Sequence, residues 1–365
     1  NIISTSQSDG SGADSFAASL SAGAALNIVI AGLLTDVSLA STVNLAESTY
    51  GRVVETLSLN DPRSSQEKID AIIQARPDLI LIAGGTDGGA TRSLKDILEV
   101  IGLACYLIPQ DRRPAVLFAG NQNMEADVRE ALGNLTSAIH ISSNIRPSVD
   151  TEDLKPARKK LAHAVIGIRK NQLQGVAALD MRAGGNLLPS AFAEGRLLNF
   201  LSNLYGANKA VLSVNLGASA TTISAGFGDQ LSTSIYPHLG MGAGLADLQK
   251  YTSLENISRW LPLDIHPQNL IDYLYQKALY PTSIPATEDD LRIEQALARE
   301  VLQLALQQAH KKFDRNASKI RANLLPIFEV ILAGGSVLTN TPTLGQSLLI
   351  LLDAVQPIGI STIIL

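Results

Sequence analysis

Leu79-Ile80-Leu81-Ile82-Ala83-Gly84-Gly85-Thr86-Asp87-Gly88-Gly89-Ala90 is the stretch that decides the fold. Five apolar residues run without polar alternation and then break into four glycines within six positions. A strand apolar on both faces belongs in a sheet that is covered on both sides. Glycines at its end let the chain turn sharply and bring backbone amides close to a ligand. The design recurs. Residues 26–31 precede Gly32, 115–119 precede Gly120, and 330–333 precede Gly334-Gly335. Residues 210–214 run into Asn215-Leu216-Gly217. The recurrence hints at a duplicated unit.

Helical patterns fill the gaps. Residues 65–75 follow a turn at Asp61-Pro62, and 124–132 follow Asn121. Residues 189–205 carry Phe192, Leu197, Leu198, Leu201 and Leu204 as an apolar set. The clearest helix runs from Glu288 to about residue 313. Thr287 and Asp290 form a capping box at its start, and His310, Lys311 and Lys312 complement the dipole at its end. Its expected core stripe is Leu291, Leu297, Val301, Leu304 and Ala305. Strand–helix alternation makes residues 1–150 a first α/β lobe that lacks an N-terminal segment. Residues 151–365 form a second α/β lobe with a helical insertion over 245–325. The polar start and the closing Ile363-Ile364-Leu365 read as cuts from a longer protein.

Composition narrows the function. Apolar residues make up 46% and charged residues 17%, which supports a large core and excludes a disordered chain. The net charge is −5 with no stretch dominated by Lys and Arg, so no nucleic-acid footprint is expected. No apolar run reaches the ~18 residues that span a bilayer. Cys105 is the single cysteine, which rules out an intrachain disulfide and fits a reducing, cytoplasmic setting. None of the five histidines stands in a zinc-binding pattern.

Three motifs carry candidate chemistry. The loop Gly84, Gly85, Thr86, Asp87, Gly88 and Gly89 can open its backbone to an oxyanion, with Asp87 on the metal side. Its plain alternative is a strand-to-helix turn capped by Asp87. Asn215, Gly217, Ala218, Ser219, Thr221 and Thr222 form a hydroxyl-rich hairpin turn that can wrap a phosphate, or a simple hairpin. Gly334, Gly335 and Ser336 can lie flat against a nucleoside, or form a tight βα turn. Gly240-Met241-Gly242-Ala243-Gly244 has the wrong spacing for a dinucleotide fingerprint, and His238 just before it is a weaker ligand candidate. The basic cluster Lys155, Arg158, Lys159 and Lys160 is a solvated helix face or a docking surface for an acidic partner.

Those motifs, in this order, resemble the accessory-protein family of adenosylcobalamin-dependent glutamate mutase (MutL/GlmL), which is unrelated to the mismatch-repair protein that shares the name. The most specific stretch is Leu254-Glu255-Asn256-Ile257-Ser258-Arg259-Trp260-Leu261-Pro262. Pro281-Thr282-Ser283-Ile284-Pro285 and Glu294-Gln295-Ala296-Leu297-Ala298-Arg299-Glu300 continue it. Residues 78–89, 118–121 and 144–147 also fit, as do 334–338 followed by Gly345-Gln346 and Leu351-Leu352-Asp353-Ala354. The resemblance implies a two-lobed actin-like ATPase (RNase H-like) fold with a nucleotide in an interlobe cleft. It implies ATP and Mg2+ as ligands and an adenosylcobalamin-dependent mutase as partner, with no membrane role.

Two departures weaken the implied ATPase. The family's opening D-x-G-x-T loop has no convincing copy, because Asp9-Gly10-Ser11 lacks the preceding strand and the following Thr. In the second phosphate loop, Asn215, Ala220 and Thr222 stand where the family pattern has Asp, Thr and Asp. An amide cannot replace a carboxylate as a charged partner of a magnesium-bound water. The sequence therefore points to a nucleotide-binding accessory or reactivating protein with a weak ATPase. A small-molecule kinase of the same superfamily and an inactive interaction module are the competing readings.

Overall fold

The structure is a computed structural model that describes residues 15–205, 209–262, 265–313 and 325–365. Asp9-Gly10-Ser11 lies outside the described residues. The chain divides into two compact units, Asn1–Ala193 and Glu194–Leu365.

The first unit opens with β1 (Ser19–Leu20), β2 (Leu26–Ala31), α1 (Ala40–Ala46) and β3 (Gly51–Leu57). It continues with α2 (Ser65–Ala75), β4 (Leu79–Ile82), α3 (Arg92–Leu107), β5 (Ala115–Phe118), α4 (Glu125–Leu132) and β6 (Ala138–Ile141). It closes with α5 (Lys155–Gln172), α6 (Val176–Arg182) and β7 (Leu188–Pro189), the last paired with β1. The other five strands form one parallel sheet in the order β3-β2-β4-β5-β6. Alternate residues of β2 serve different cores. Leu26, Ile28 and Ile30 pack with residues of α1 and α5, while Val29 and Ala31 pack with residues of α2, α3 and α4. This double cover is why the strands read as unbroken apolar runs. The sheet has the flavodoxin-like 2-1-3-4-5 order, whose switch point lies between β2 and β4. Helix α5 buries Ala157, Leu161 and Val165 in the same core, so the unit continues past residue 150, where the sequence placed the division.

Cys105 sits on α3 inside this unit, and burial pushes its thiol up to about 12. The thiolate is the reactive form, so the native protein should resist alkylation at pH 8 and label fully once unfolded. Rapid labelling of the folded chain would contradict this packing.

Helix α7 (Ser190–Tyr205) carries the division between the units. The second unit then runs β8 (Ala210–Leu216), β9 (Thr221–Phe227), β10 (Gln230–Tyr236), α8 (Leu254–Ser258), α9 (Pro267–Leu279) and α10 (Glu288–His310). It ends with β11 (Phe328–Gly334), α11 (Ser336–Thr339), α12 (Leu344–Val355) and β12 (Thr362–Ile364). Its sheet order is β10-β9-β8-β11-β12, with β9 antiparallel to both neighbours and the remaining pairs parallel. This is the RNase H-like arrangement that the resemblance implied. The two sheets differ in order and direction, so the recurring strand–glycine pattern does not mark a duplicated unit.

The capping box of α10 forms as expected, with Thr287 and Asp290 each bonding the other's backbone. The helix is more deeply buried than a single stripe. Every residue from Ile293 to Ala298 is buried, including Glu294 and Gln295. In α7 the expected stripe is split: Leu198 is buried against Val211 and Val330, while Leu197 and Leu204 are exposed. Among the described residues no helix is long and apolar enough to cross a membrane.

Candidate functional site

In the first unit, the loop after β4 is held by two buried asparagines from neighbouring strand ends. Asn121 Oδ1 accepts from the amides of Gly88 (3.3 Å) and Asn123 (3.1 Å), and its Nδ2 donates to the Gly89 carbonyl (3.3 Å). Asn144 Nδ2 donates to the Gly85 carbonyl (2.9 Å) and to Asp87 Oδ1 (3.0 Å). Gly85 and Gly88 take φ values of 70° and 76°, which only glycine adopts without strain. Asp87 is exposed, and its Oδ1 also accepts from the Gln122 amide. The carboxylate therefore ties the loop to its neighbours. The amides of Gly85 and Thr86 have no hydrogen-bond partner among the described residues. Three segments that carry the family resemblance meet at this one strand edge. Asn121→Ala would strand the Gly88 and Asn123 amides, and we expect it to cost about 2–3 kcal/mol in urea unfolding. A loss below about 0.5 kcal/mol would show that the loop does not depend on this anchor.

In the second unit, β8 and β9 are joined by Gly217-Ala218-Ser219-Ala220, closed by the Gly217 amide donating to the Ala220 carbonyl at 3.0 Å. Ala218 and Ser219 are exposed, and their amides have no partner among the described residues. Thr221 is fully buried and its hydroxyl donates to the Leu239 carbonyl at 2.5 Å, which locks the start of β9. Thr222 lies directly across from Asn215 in the β8–β9 pairing. On the other side of β8, Gly334 is paired with Asn215. A Cβ on Gly335 would stand 2.0 Å from the Leu216 carbonyl oxygen. The structure thus brings the hairpin turn and the Gly334-Gly335 turn side by side, with Ser336 exposed at the start of α11.

The Gly240–Gly244 segment packs against this turn. A Cβ on Gly240 would lie 2.6 Å from the Ala218 carbonyl oxygen, and one on Gly242 would lie 2.8 Å from both that oxygen and Pro281 Cβ. These glycines are close-contact positions under the turn. The loop that carries Pro281 is fixed in its turn by Lys277, whose ammonium donates to the Ser283 carbonyl and pairs with Glu294 at 2.6 Å. His238 lies against Tyr251, with ring centroids 4.8 Å apart, and burial holds its pKa below the usual value.

Sequence reasoning missed Glu194. This α7 residue accepts from the Ser213 hydroxyl (2.6 Å, Oε1) and from Asn215 Nδ2 (3.2 Å, Oε2). The signal was the alternation Val211, Ser213, Asn215, which puts a polar row on the face of β8 that meets α7. Glu194 is the acidic residue that α7 offers to that row. Among the described residues no group of three or more His, Cys, Asp or Glu gathers as a metal cage.

These sites sit in a chain with clear relatives. The family model described as MutL protein matches residues 2–362. Protein MutL of Clostridium tetanomorphum is 21% identical over 312 residues, covering 79% of this chain and 64% of that protein. The chain therefore spans just under two thirds of that relative's length. Among solved structures, a chain of the PilM-PilN type IV pilus biogenesis complex matches at 16% identity, covering 80% of this chain and 72% of its own. Its TM-score is 0.25, too low to bear on the fold. The family match, over nearly the whole chain, agrees with the motifs read from the sequence: this chain belongs to the MutL protein family.

Proposed function

We propose that the chain is a cytoplasmic, nucleotide-binding accessory protein of an adenosylcobalamin-dependent mutase such as glutamate mutase. The observation that carries the reading is the turn after β8. Two exposed, unpartnered amides, Ala218 and Ser219, stand beside the side-chain-free surface of Gly334 and Gly335 at the end of an RNase H-like sheet. Such an arrangement suits a phosphate next to a flat nucleoside. ATP with Mg2+ is the ligand we assign. The amides suit phosphate oxygens, and one carboxylate, Glu194, lies at the Asn215 side chain. Bound Mg2+ would draw charge from the phosphate oxygens.

Turnover is slow in this reading, because Asn215 carries no charge where the family pattern has Asp. Losing one preorganised electrostatic partner commonly costs on the order of 10²–10³ in rate. In this reading ATP serves mainly as a binding ligand. The partner is tested by affinity capture from the native cell with the full-length protein, with and without ATP. Recovery of a cobalamin-dependent mutase or its cobalamin-binding subunit is the expected result. Repeated recovery of other enzymes without a mutase would overturn it.

A further inference from the structure

We infer that the outer edge of β6, together with the basic face of α5 beside it, is a docking site for an extended acidic peptide segment of a partner protein, which adds to the first sheet as a further strand. The inference stands apart from the nucleotide reading. In the described sheet β6 is a terminal strand, paired on one side only, with β5. The Ser142 amide donates to the Phe118 carbonyl, so by alternation His140 also points its backbone at β5, while Ile139 and Ile141 point theirs outward. All four residues of Ala138-Ile139-His140-Ile141 are exposed or half-buried. The strand has no Lys, Glu or Pro to discourage a newcomer, the usual protection of a free edge. The opposite edge of the same sheet is protected. There the Thr56 carbonyl accepts from Arg63 (3.1 Å), and the Thr56 amide donates to Glu55 Oε1 (2.7 Å).

Charge selects the occupant. Lys155, Lys159, Lys160 and His163 are exposed on one arc of α5. The three lysines form no ion pair among the described residues. Nearby carboxylates are already engaged: Glu152 pairs with Arg146, Asp153 accepts from the Lys155 amide, and Asp180 pairs with Lys170. This arc adjoins the strand edge. Ile139 and Ile141 pack toward α3 and α4, which puts His140 on the α5 face. Burial holds the His140 pKa below its usual value, and the neighbouring Lys160 and His163 charges lower it further. The repeats also match. Side chains three or four apart on a helix lie about 5–6 Å from each other, and alternate residues of an added strand are about 6.6–6.8 Å apart. A strand with carboxylates at alternate positions therefore meets the α5 cations on one face and Ile139 and Ile141 on the other. Backbone pairing supplies the affinity in such strand addition, and the alternate side chains supply the selectivity.

The test uses the full chain and a dye-labelled heptapeptide that alternates valine with glutamate, with binding followed by fluorescence anisotropy. Two further probes are the same peptide with lysine in place of glutamate, and the acidic peptide with its three central amides N-methylated. The acidic peptide should bind saturably and weaken as salt is raised. The lysine peptide should not bind, and N-methylation should weaken the acidic peptide about tenfold or more, because it removes the donors that pair with β6. Lys159→Glu with Lys160→Glu alters only exposed side chains, so matched thermal melts are expected, with affinity for the acidic peptide reduced about tenfold or more. Hydrogen exchange should slow at the Ile139 and Ile141 amides when the acidic peptide is bound. No saturable binding of the acidic peptide up to millimolar concentration would overturn the proposal, as would full binding by the lysine-reversed chain. Equal binding of the N-methylated peptide, or unchanged exchange at Ile139 and Ile141, would overturn the strand addition. Tighter binding of an oligouridine probe at the same lysines would overturn the choice of an acidic peptide.

Discussion

Gly335→Ala unfolds the second unit under conditions where the unaltered chain is folded. Gly335 has φ of 99°, a region that side-chain-bearing residues avoid. The added Cβ would also stand 2.0 Å from the Leu216 carbonyl oxygen and 2.6 Å from its carbon. Both atoms are backbone, so no rotamer change relieves the overlap. Relief needs β8 and β11 to part at the end of their register, where Gly334 pairs with Asn215. Strained φ alone costs on the order of 1–3 kcal/mol. With the overlap, we expect about 4 kcal/mol or more, among the larger single-substitution effects. For a unit of this size that lowers Tm by roughly 10 °C or more. A melting curve unchanged within 2–3 °C, on the order of 1 kcal/mol, would mean that Gly335 does not pack on β8 as described.

Lys277→Met should be nearly as damaging, for an electrostatic reason. Lys277 and Glu294 form an ion pair at 2.6 Å with both side chains 7% exposed. The contact is an ion pair and not a well-aligned hydrogen bond. Tyr273 stands beside it, and burial together with the Glu294 carboxylate drives its hydroxyl pKa above the usual value. Removing the ammonium leaves Glu294 buried without its cation and releases the Ser283 carbonyl. Breaking a buried pair from one side costs about 3–5 kcal/mol. Replacing both partners with apolar residues of similar volume, Lys277→Met with Glu294→Leu, should recover most of that loss. Denaturant melts of the single and double variants check this. A double variant as unstable as the single one would show that the pair is not self-contained. The consequence reaches the candidate site, because the loop fixed by Lys277 packs through Pro281 under Gly242 and the Ala218 turn.

The strands were legible because both units bury their sheets on two faces. Leu26–Ala31 and Ser65–Ala75 fall where the apolar run and the turn at Asp61-Pro62 put them. The capping box at Thr287 was readable because it is local chemistry. What the sequence hid is long-range. The flavodoxin-like order of the first sheet depends on β3 joining beyond β2, and no local pattern states that. The expected division at 150 missed how far α5 belongs to the first core. At the candidate sites, glycine-rich turns were visible, but their supports were not. Asn121 and Asn144 hold the first loop from other strands, and Glu194 reaches Asn215 from a helix 21 residues earlier in the chain. The run Glu294–Glu300, which carries part of the family resemblance, ties α10 to its neighbours. Glu300 accepts from Thr252 at 2.6 Å, and Arg299 donates to Asp353 at 2.6 Å.

The central claim is that the turn after β8 binds a nucleotide. Its most direct test is calorimetric titration of ATP with Mg2+ into the purified full-length protein. The account predicts saturable binding at one site per chain with Kd on the order of 10⁻⁴ M, about −5.5 kcal/mol. It also predicts that Ser219→Pro, which removes one of the two free amides, weakens that binding. No saturable heat up to millimolar ATP, or binding unchanged by Ser219→Pro, would contradict it.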